Sequence, residues 1–77
     1  MFYPRKSAFV HRQEAVGVSK REYTVSETSY IIEGSGEIKI PDNESVSFSA
    51  GDLVTVMPET CCIWNITEAI ERHYSKG

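Results

Sequence analysis

The sequence has few cysteines, no long apolar run and no dense cluster of basic residues. Its two cysteines, Cys61 and Cys62, are adjacent, and neighbouring residues of a strand point to opposite faces, so a disulfide between them is unfavourable. No apolar run approaches the roughly 18 residues that cross a bilayer, and the N-terminal residues lack the apolar core of a signal peptide. These absences predict a reduced, cytoplasmic protein that is not embedded in a membrane.

Charge and length limit the kinds of partner. The net charge is -3, and the basic residues occur at most as isolated pairs such as Lys20-Arg21, so nucleic acid and anionic membranes are poor partners. A chain of 77 residues allows one domain, which buries only about 60% of the surface of its unfolded chain. Small domains without disulfides often gain stability by association, so we expect a homodimer.

Short segments rich in β-branched and aromatic residues alternate with turn residues. The glycines of Gly34-Ser35-Gly36 predict a tight turn that makes residues 28–40 a hairpin, and Pro41-Asp42-Asn43 predicts a second turn. Residues 67–72 indicate a helical turn at most. About seven or eight short strands in such an order predict an all-β sandwich or closed barrel. The predicted strands are 21–25, 28–33, 36–40, 45–49, 53–57, 61–66 and 70–74.

Alternation within the predicted strands assigns their faces. Val46 and Phe48 alternate with serines, which predicts that both face the core. The same period places Cys62, Trp64 and Ile66 on one face. Over residues 21–27, an unbroken alternation places four side chains on one face, which would face the interior of a barrel, namely Arg21, Tyr23, Val25 and Glu27.

Two blocks of the sequence resemble the signature motifs of the cupins. These are residues 27–34 (Glu-Thr-Ser-Tyr-Ile-Ile-Glu-Gly) and residues 51–54 (Gly-Asp-Leu-Val), which Pro58 follows. Together with Cys62-Ile63-Trp64 and Arg72-His73-Tyr74, they make the chain similar to the small single-domain cupins related to the ethanolamine-utilisation (EutQ-like) cupin.

The resemblance implies an all-β fold, an RmlC-like cupin jelly-roll barrel. A single cupin domain then spans residues 1–77, with the motif-bearing barrel at about 17–76. Residues 1–16 are expected to form an N-terminal segment, either as an outer strand or as a strand exchanged within a dimer.

The resemblance also implies a position for a metal site, and the residues found there do not suit it. Glu27 lies seven positions before Gly34, which is where metal-binding cupins carry their carboxylate ligand. A transition metal bound by imidazole and carboxylate needs three or four converging donors. The positions expected for histidines hold none, so we predict no metal and no cofactor. Those positions are Arg21 and Tyr23, or Lys20 and Glu22, and further along Ile63 or Trp64.

A ligand pocket lined by Arg21, Tyr23, Glu27, Cys62 and Trp64 is the site that we predict. Glu27 is its candidate catalytic residue, as a general acid or base, and the alternative is a structural ion pair or a hydrogen-bonded carboxylate. Packing is the favoured role of Cys62, because small buried cysteines usually pack. Trp64 is expected to anchor the core and to form an apolar wall of the pocket.

Four further residues are assigned to the surface. His11 and His73 are expected to be surface or dimer-face residues. Tyr30 and Ile32 lie on the face opposite Glu27, so they point outward, and exposed apolar pairs commonly mark an interface.

Three functions therefore remain open. The leading hypothesis is a cupin that binds an unknown small polar molecule, such as a sugar derivative or an amino-alcohol, without a metal. If this cupin is an enzyme, the expected reaction is acid/base chemistry on that molecule. The second is a non-catalytic accessory or sensor module that binds a ligand or a partner protein. The third is an atypical metalloenzyme with a site of Glu, Cys and His. The sequence leaves open whether the protein is an enzyme.

Overall fold

The structure is a computed structural model and describes residues 9–43 and 45–77. In these ranges the chain forms six strands and no helix, so there is no helix that could span a membrane. All of the strand pairs are antiparallel. The strands are β1 (Val10–Glu14), β2 (Gly17–Tyr23), β3 (Glu27–Lys39), β4 (Ser45–Ser49), β5 (Leu53–Val56) and β6 (Thr60–Lys76).

The long strands β3 and β6 pair with each other and organise the whole fold. At one end, β1 borders β6 and β5 borders β3, and at the other end β2 borders β6 and β4 borders β3. The result is two four-stranded halves that share β3 and β6. Both halves contribute side chains to one core, as in a jelly roll, which confirms the predicted all-β cupin barrel.

The predicted hairpin over residues 28–40 is wrong, because those residues belong to one continuous strand. Register shifts between β3 and β6 mark bulges from Ile31 to Gly36. Gly34 has a positive φ of 91°, and a Cβ built on it would lie 2.2 Å from the carbonyl oxygen of Ala69. The glycines therefore serve a bulge and a close backbone approach instead of a turn.

Strand β6 also includes two strands that the sequence predicted as separate elements. Residues 61–66 and 70–74 are both parts of β6, and the helical turn indicated over 67–72 is extended strand. Pairing with β3 and β1 satisfies the backbone of that segment and overrides its weak helical pattern. The turn predicted at Pro41-Asp42-Asn43 is confirmed and joins β3 to β4, with Asn43 N donating to Ile40 O at 2.9 Å.

The core lies between the two halves of the barrel. Phe48, Cys62, Trp64 and Ile66 are buried, as their alternation predicted. Val46 is 53% exposed, against prediction, because the edge strand β4 leaves it at an open apolar hollow of about 140 Å³. The buried apolar residues are Ile31, Ile38, Phe48, Val56, Cys62, Trp64, Ile66 and Ile70.

The predicted alternation from Arg21 to Glu27 is interrupted. Strand β2 ends at Tyr23, and the chain bends at Thr24 and Val25 before β3 begins at Glu27. Val25 is therefore exposed, although the unbroken alternation had placed it inside.

The bulge at Gly34 yields a prediction with an internal control. Gly34→Ala meets both a strained φ and a backbone clash, whereas Gly51 has a similar φ of 96° and nothing within 4 Å of its Cβ position. We expect Gly51→Ala to lower the free energy of unfolding by about 1–2 kcal/mol, the cost of left-handed backbone. Gly34→Ala should lower it by a further 1–3 kcal/mol or so through overpacking. Urea unfolding of both variants measures the difference, and equal losses would contradict the bulge.

Candidate functional site

A buried arginine near the end of β6 is the centre of the candidate site. Arg72 is 3% exposed. Its Nη1 donates to Glu27 Oε2 at 2.9 Å and to Ser29 Oγ at 2.6 Å. Its Nε donates to Glu14 Oε2 at 2.9 Å, and its Nη2 lies 2.9 Å from the same oxygen. One guanidinium thus joins carboxylates from β1 and β3.

A second arginine extends this arrangement from β2. Arg21 donates from both terminal nitrogens to the carboxylate of Glu14 and from Nε to Ser19 Oγ at 3.0 Å. Charges therefore alternate along the series Arg21, Glu14, Arg72 and Glu27, which we call the ion network. Its two positive and two negative charges balance, and this reduces the desolvation cost of holding them in the barrel.

Aromatic rings cover the arginines on the core side. The Cζ atom of Arg21 lies 4.4 Å from the ring centroid of Trp64, and that of Arg72 lies 5.2 Å from it. Arg72 Cζ is also 4.6 Å from the ring centroid of Tyr74. Trp64 is fully buried, so these cation–π contacts are shielded from water and are stronger than surface pairs.

A polar cavity of about 210 Å³ opens beside the ion network. Glu27 is 5% exposed, and its Oε2 is occupied by Arg72. Its Oε1 has no hydrogen bond within the part of the chain that the structure describes, and it is not among the fully buried unpaired atoms. That oxygen is therefore the acceptor that remains for a ligand. The cavity is lined by Arg21, Glu22, Tyr23, Thr24, Val25, Glu27, Arg72 and Lys76.

An open groove of about 610 Å³ lies where β1 and β2 diverge, and Glu14, Arg21 and Arg72 line it. Arg21 and Arg72 line the cavity as well. The ion network therefore separates the cavity from this groove.

The structure brings three of the five predicted pocket residues, Arg21, Tyr23 and Glu27, to the cavity. Cys62 and Trp64 are fully buried in the core and are not among the residues that line it. Trp64 does not line the cavity, but its ring contacts Arg21, which does.

Burial and charge set the protonation of two residues of the predicted site, Tyr23 and Cys62. Burial, reinforced by the charge of Glu27, raises the pKa of Tyr23, so its phenol is a neutral hydrogen-bond donor at pH 7. Burial raises the pKa of the Cys62 thiol as well, although Trp64 and Arg21 act in the opposite direction. A protonated thiol is a poor nucleophile and metal ligand, which favours packing as its role.

The residues present do not fit the metal that many cupins hold. Glu27 is paired with Arg72 instead of facing other donors, and residues 9–43 and 45–77 contain no group of three or more His, Cys, Asp or Glu side chains placed to hold a metal. His11 and His73 lie in exposed positions on β1 and β6, where their ring centroids are 5.2 Å apart. The structure thus does not bring Glu27, Cys62 and a histidine together.

Three residues of the site were missed in the sequence, namely Glu14, Ser29 and Arg72. Ser29 and Arg72 had a usable signal, because Ser29 shares the parity of Glu27 and Arg72 shares the parity of Trp64 once β6 is treated as one strand. Glu14 had none, since nothing in its local sequence indicates that β1 pairs with β6.

The barrel and its polar interior are those of a cupin. A family model described as the EutQ-like cupin domain matches residues 6–74, and the chain belongs to that family. No curated protein matches the chain.

Solved structures support the same fold. A DUF861 family protein from Thermotoga maritima is 28% identical, with a TM-score of 0.86 over 92% of this chain and 81% of that chain. The EutQ protein of Clostridium difficile is 19% identical, with a TM-score of 0.79 over 88% of this chain and 53% of that protein. A cupin-2 domain containing protein from Shewanella frigidimarina is 14% identical, with a TM-score of 0.73 over 91% of this chain and 71% of that chain.

The ion network predicts an acid-sensitive component of stability. Burial alone would raise the pKa of Glu14, but hydrogen bonds and charges from Arg21 and Arg72 outweigh burial and hold that pKa below its ordinary value of 4.5. A lowered pKa stabilises the fold above pH 4.5, and this contribution is lost as the pH falls further. Glu14→Gln should therefore lower the free energy of unfolding at pH 7 by about 3 kcal/mol.

Urea unfolding between pH 7 and pH 3 tests this expectation. The difference between the native protein and Glu14→Gln should shrink below pH 4.5. Glu37→Gln is the control, because Glu37 is exposed on β3. A difference that stays constant with pH would contradict the role given to Glu14.

Proposed function

We propose that the protein is a cytoplasmic cupin that binds a small polar molecule in the cavity beside Glu27 without using a metal. The observation that carries this proposal is that Glu27 lines a polar cavity while only its Oε2 is held by Arg72, so that Oε1 remains as an acceptor. A fixed acceptor beside the neutral donor Tyr23 is an arrangement that orients a polar ligand. The two free cysteines, Cys61 and Cys62, suit a reducing compartment.

The cavity limits the size and chemistry of the ligand. At the roughly 30 Å³ that a water molecule takes in the liquid, a volume of 210 Å³ holds on the order of seven non-hydrogen atoms. Glu27 Oε1 accepts a hydrogen bond from a hydroxyl or amino group, and Tyr23 donates one to an oxygen. A small amino-alcohol or a fragment of a sugar derivative meets these requirements.

The protein could be an enzyme or a sensor, and the two functions differ in whether Glu27 must exchange a proton with the ligand. In an acid/base enzyme, Glu27 Oε1 exchanges a proton with the bound metabolite, and Arg72 holds the carboxylate in place. In a sensor or accessory module, the same oxygen only accepts a hydrogen bond. The contact with Arg72 at 2.9 Å favours the second use, because it holds Glu27 in an ion pair.

Ligand titrations followed by tryptophan fluorescence test the proposal. Trp64 is the single tryptophan, and Arg21 lies both over its ring and at the cavity, so a ligand in the cavity should change its emission. The probes are ethanolamine, glycerol and glycolaldehyde, which are small enough for the cavity, and lactate, an anion that should bind least. Tyr23→Phe should weaken binding of the responding probe about five- to tenfold by removing one hydrogen bond of roughly 1 kcal/mol. Glu27→Gln should weaken it more than tenfold, since its bond to the ligand is charge-assisted.

Matched measurements separate a loss of binding from a loss of fold. Tyr23→Phe leaves the four charges of the ion network intact, so its thermal midpoint should stay close to that of the native protein. Glu37→Gln, an exposed change on the same strand as Glu27, should bind as the native protein does. If none of the four probes binds, or if both cavity variants bind normally, the cavity is not the ligand site.

We further propose that the protein is a homodimer that pairs through the outer face of β3 and β5. Tyr30 and Leu53 are register partners there and are 45% and 69% exposed, and Ile32 lies near them on β3. The row continues across the sheet to His73 and His11. A twofold axis brings an apolar patch of this kind against its own copy, which buries it without opposing like charges.

Light scattering after size exclusion tests this pairing. The native chain should elute at twice its mass of 8.7 kDa. Leu53→Glu together with Tyr30→Lys should produce a folded monomer. The control is Val18→Glu, which changes an apolar residue of β2 that is 70% exposed and lies outside this row. A native monomer at micromolar concentration, or a dimer that survives the double change, would contradict the proposal.

A further inference from the structure

Three side-chain oxygens converge on the Arg72 guanidinium inside the barrel. They are Glu14 Oε2, Glu27 Oε2 and Ser29 Oγ, at 2.9, 2.9 and 2.6 Å from its nitrogens. Two of them belong to carboxylates, and they come from two strands, β1 and β3, on either side of β6. An oxygen shell of this composition is also the kind that holds a hard divalent cation.

We propose that Arg72 is the resident cation of the pocket. Its guanidinium occupies an oxygen shell that would otherwise bind a divalent metal ion, and so keeps such ions out. The proposal deepens the metal-free part of the proposed function, on which it rests, by naming the residue that determines it.

The charges of the pocket depend on Arg72. Arg72 is 3% exposed and Glu27 is 5% exposed, so neither charge is well hydrated, and each depends on the other. Removing the guanidinium leaves Glu27 without a cation, while Glu14 keeps Arg21 and, at 3.7 Å, the more exposed Arg12. An uncompensated buried charge of this kind costs several kcal/mol unless a cation replaces it.

The shape and position of the Arg72 guanidinium also exclude a metal ion. The guanidinium is planar, spreads its charge and offers five donors in a fixed fork, and here its Nε and Nη1 serve oxygens of different strands. Its position is fixed on the core side by the rings of Trp64 and Tyr74. A divalent ion at the same place would meet the positive guanidinium at contact distance, so the two cations exclude each other.

Substitution of Arg72 tests this role with Mn²⁺ as the probe, because Mn²⁺ suits carboxylate, hydroxyl and water ligands. Arg72→His removes the fixed cation and adds an imidazole to the two carboxylates and the hydroxyl, which gives a plausible donor count. Arg72→Lys keeps a positive charge and should leave the shell closed. Arg72→Met removes the cation without adding a donor.

The expected order of Mn²⁺ affinity is Arg72→His, then Arg72→Met, with no uptake by Arg72→Lys or the native protein. Electron paramagnetic resonance of free Mn²⁺ measures binding directly. Arg72→His should bind one ion per chain at Mn²⁺ concentrations where the native protein binds none. Its thermal midpoint should rise with Mn²⁺ concentration, because an ion that binds the folded state alone stabilises it. Adding Glu27→Gln to Arg72→His should abolish Mn²⁺ binding, which would show that the ion binds at this shell.

Every outcome bears on the proposal. Native protein that binds Mn²⁺ in a manner sensitive to Glu27→Gln contradicts it, as does an Arg72→His protein that folds without taking up the ion. An Arg72→His protein that stays unfolded at millimolar Mn²⁺ contradicts it too, since the ion is expected to replace the missing charge. None of these measurements uses a small-molecule ligand. The proposed function can therefore fail in the ligand titrations while the role of Arg72 stands, and the reverse holds as well.

Discussion

The structure depends most on one buried positive charge and on the groups that neutralise it. A guanidinium taken out of water is tolerated only where anions and acceptors surround it, and Arg72 has Glu14, Glu27 and Ser29 within 3 Å. The three partners come from two strands on either side of β6. The charges of the interior are therefore balanced only when β1, β3 and β6 pack together.

The bulges of β3 make this arrangement compatible with an apolar core in the same barrel. On one side of them, Glu27 and Ser29 face inward with Arg72, and on the other side Ile38 faces inward with Trp64. Gly34 and Gly36 allow the two long strands to shift register where side chains would clash. The barrel therefore holds the ion network among apolar residues at one end and an apolar core at the other, and both arginines lie on the buried ring of Trp64 between them.

The sequence was sufficient for the fold class and for part of the site, and its errors have identifiable physical causes. Local turn chemistry identified the turn at Pro41-Asp42-Asn43, where the hydrogen bond from Asn43 N to Ile40 O is local, but it predicted a false turn at Gly34. There the glycine is required by the close backbone of β6, a neighbouring strand that is distant in sequence. Alternation placed Tyr23 and Glu27 at one site even though a bend interrupts the strand between them. The same bend exposes Val25, because alternation holds only while a strand continues.

The contribution of Glu14 lay beyond sequence reasoning for a different reason. Its role depends on β1 pairing with the far end of β6, 58 residues away for the contact with Arg72, and no local pattern encodes that pairing. The difference matters for the chemistry of the pocket. With Glu27 alone, Arg21 and Arg72 would leave the interior positive and suited to an anion. With Glu14 between them the four charges balance, and the neutral phenol of Tyr23 and the carboxylate of Glu27 line the cavity together with Glu22 and Lys76. The ligand class that we propose, a small uncharged or amino-bearing molecule, therefore depends on the docking of the first strand as much as on the residues that line the cavity.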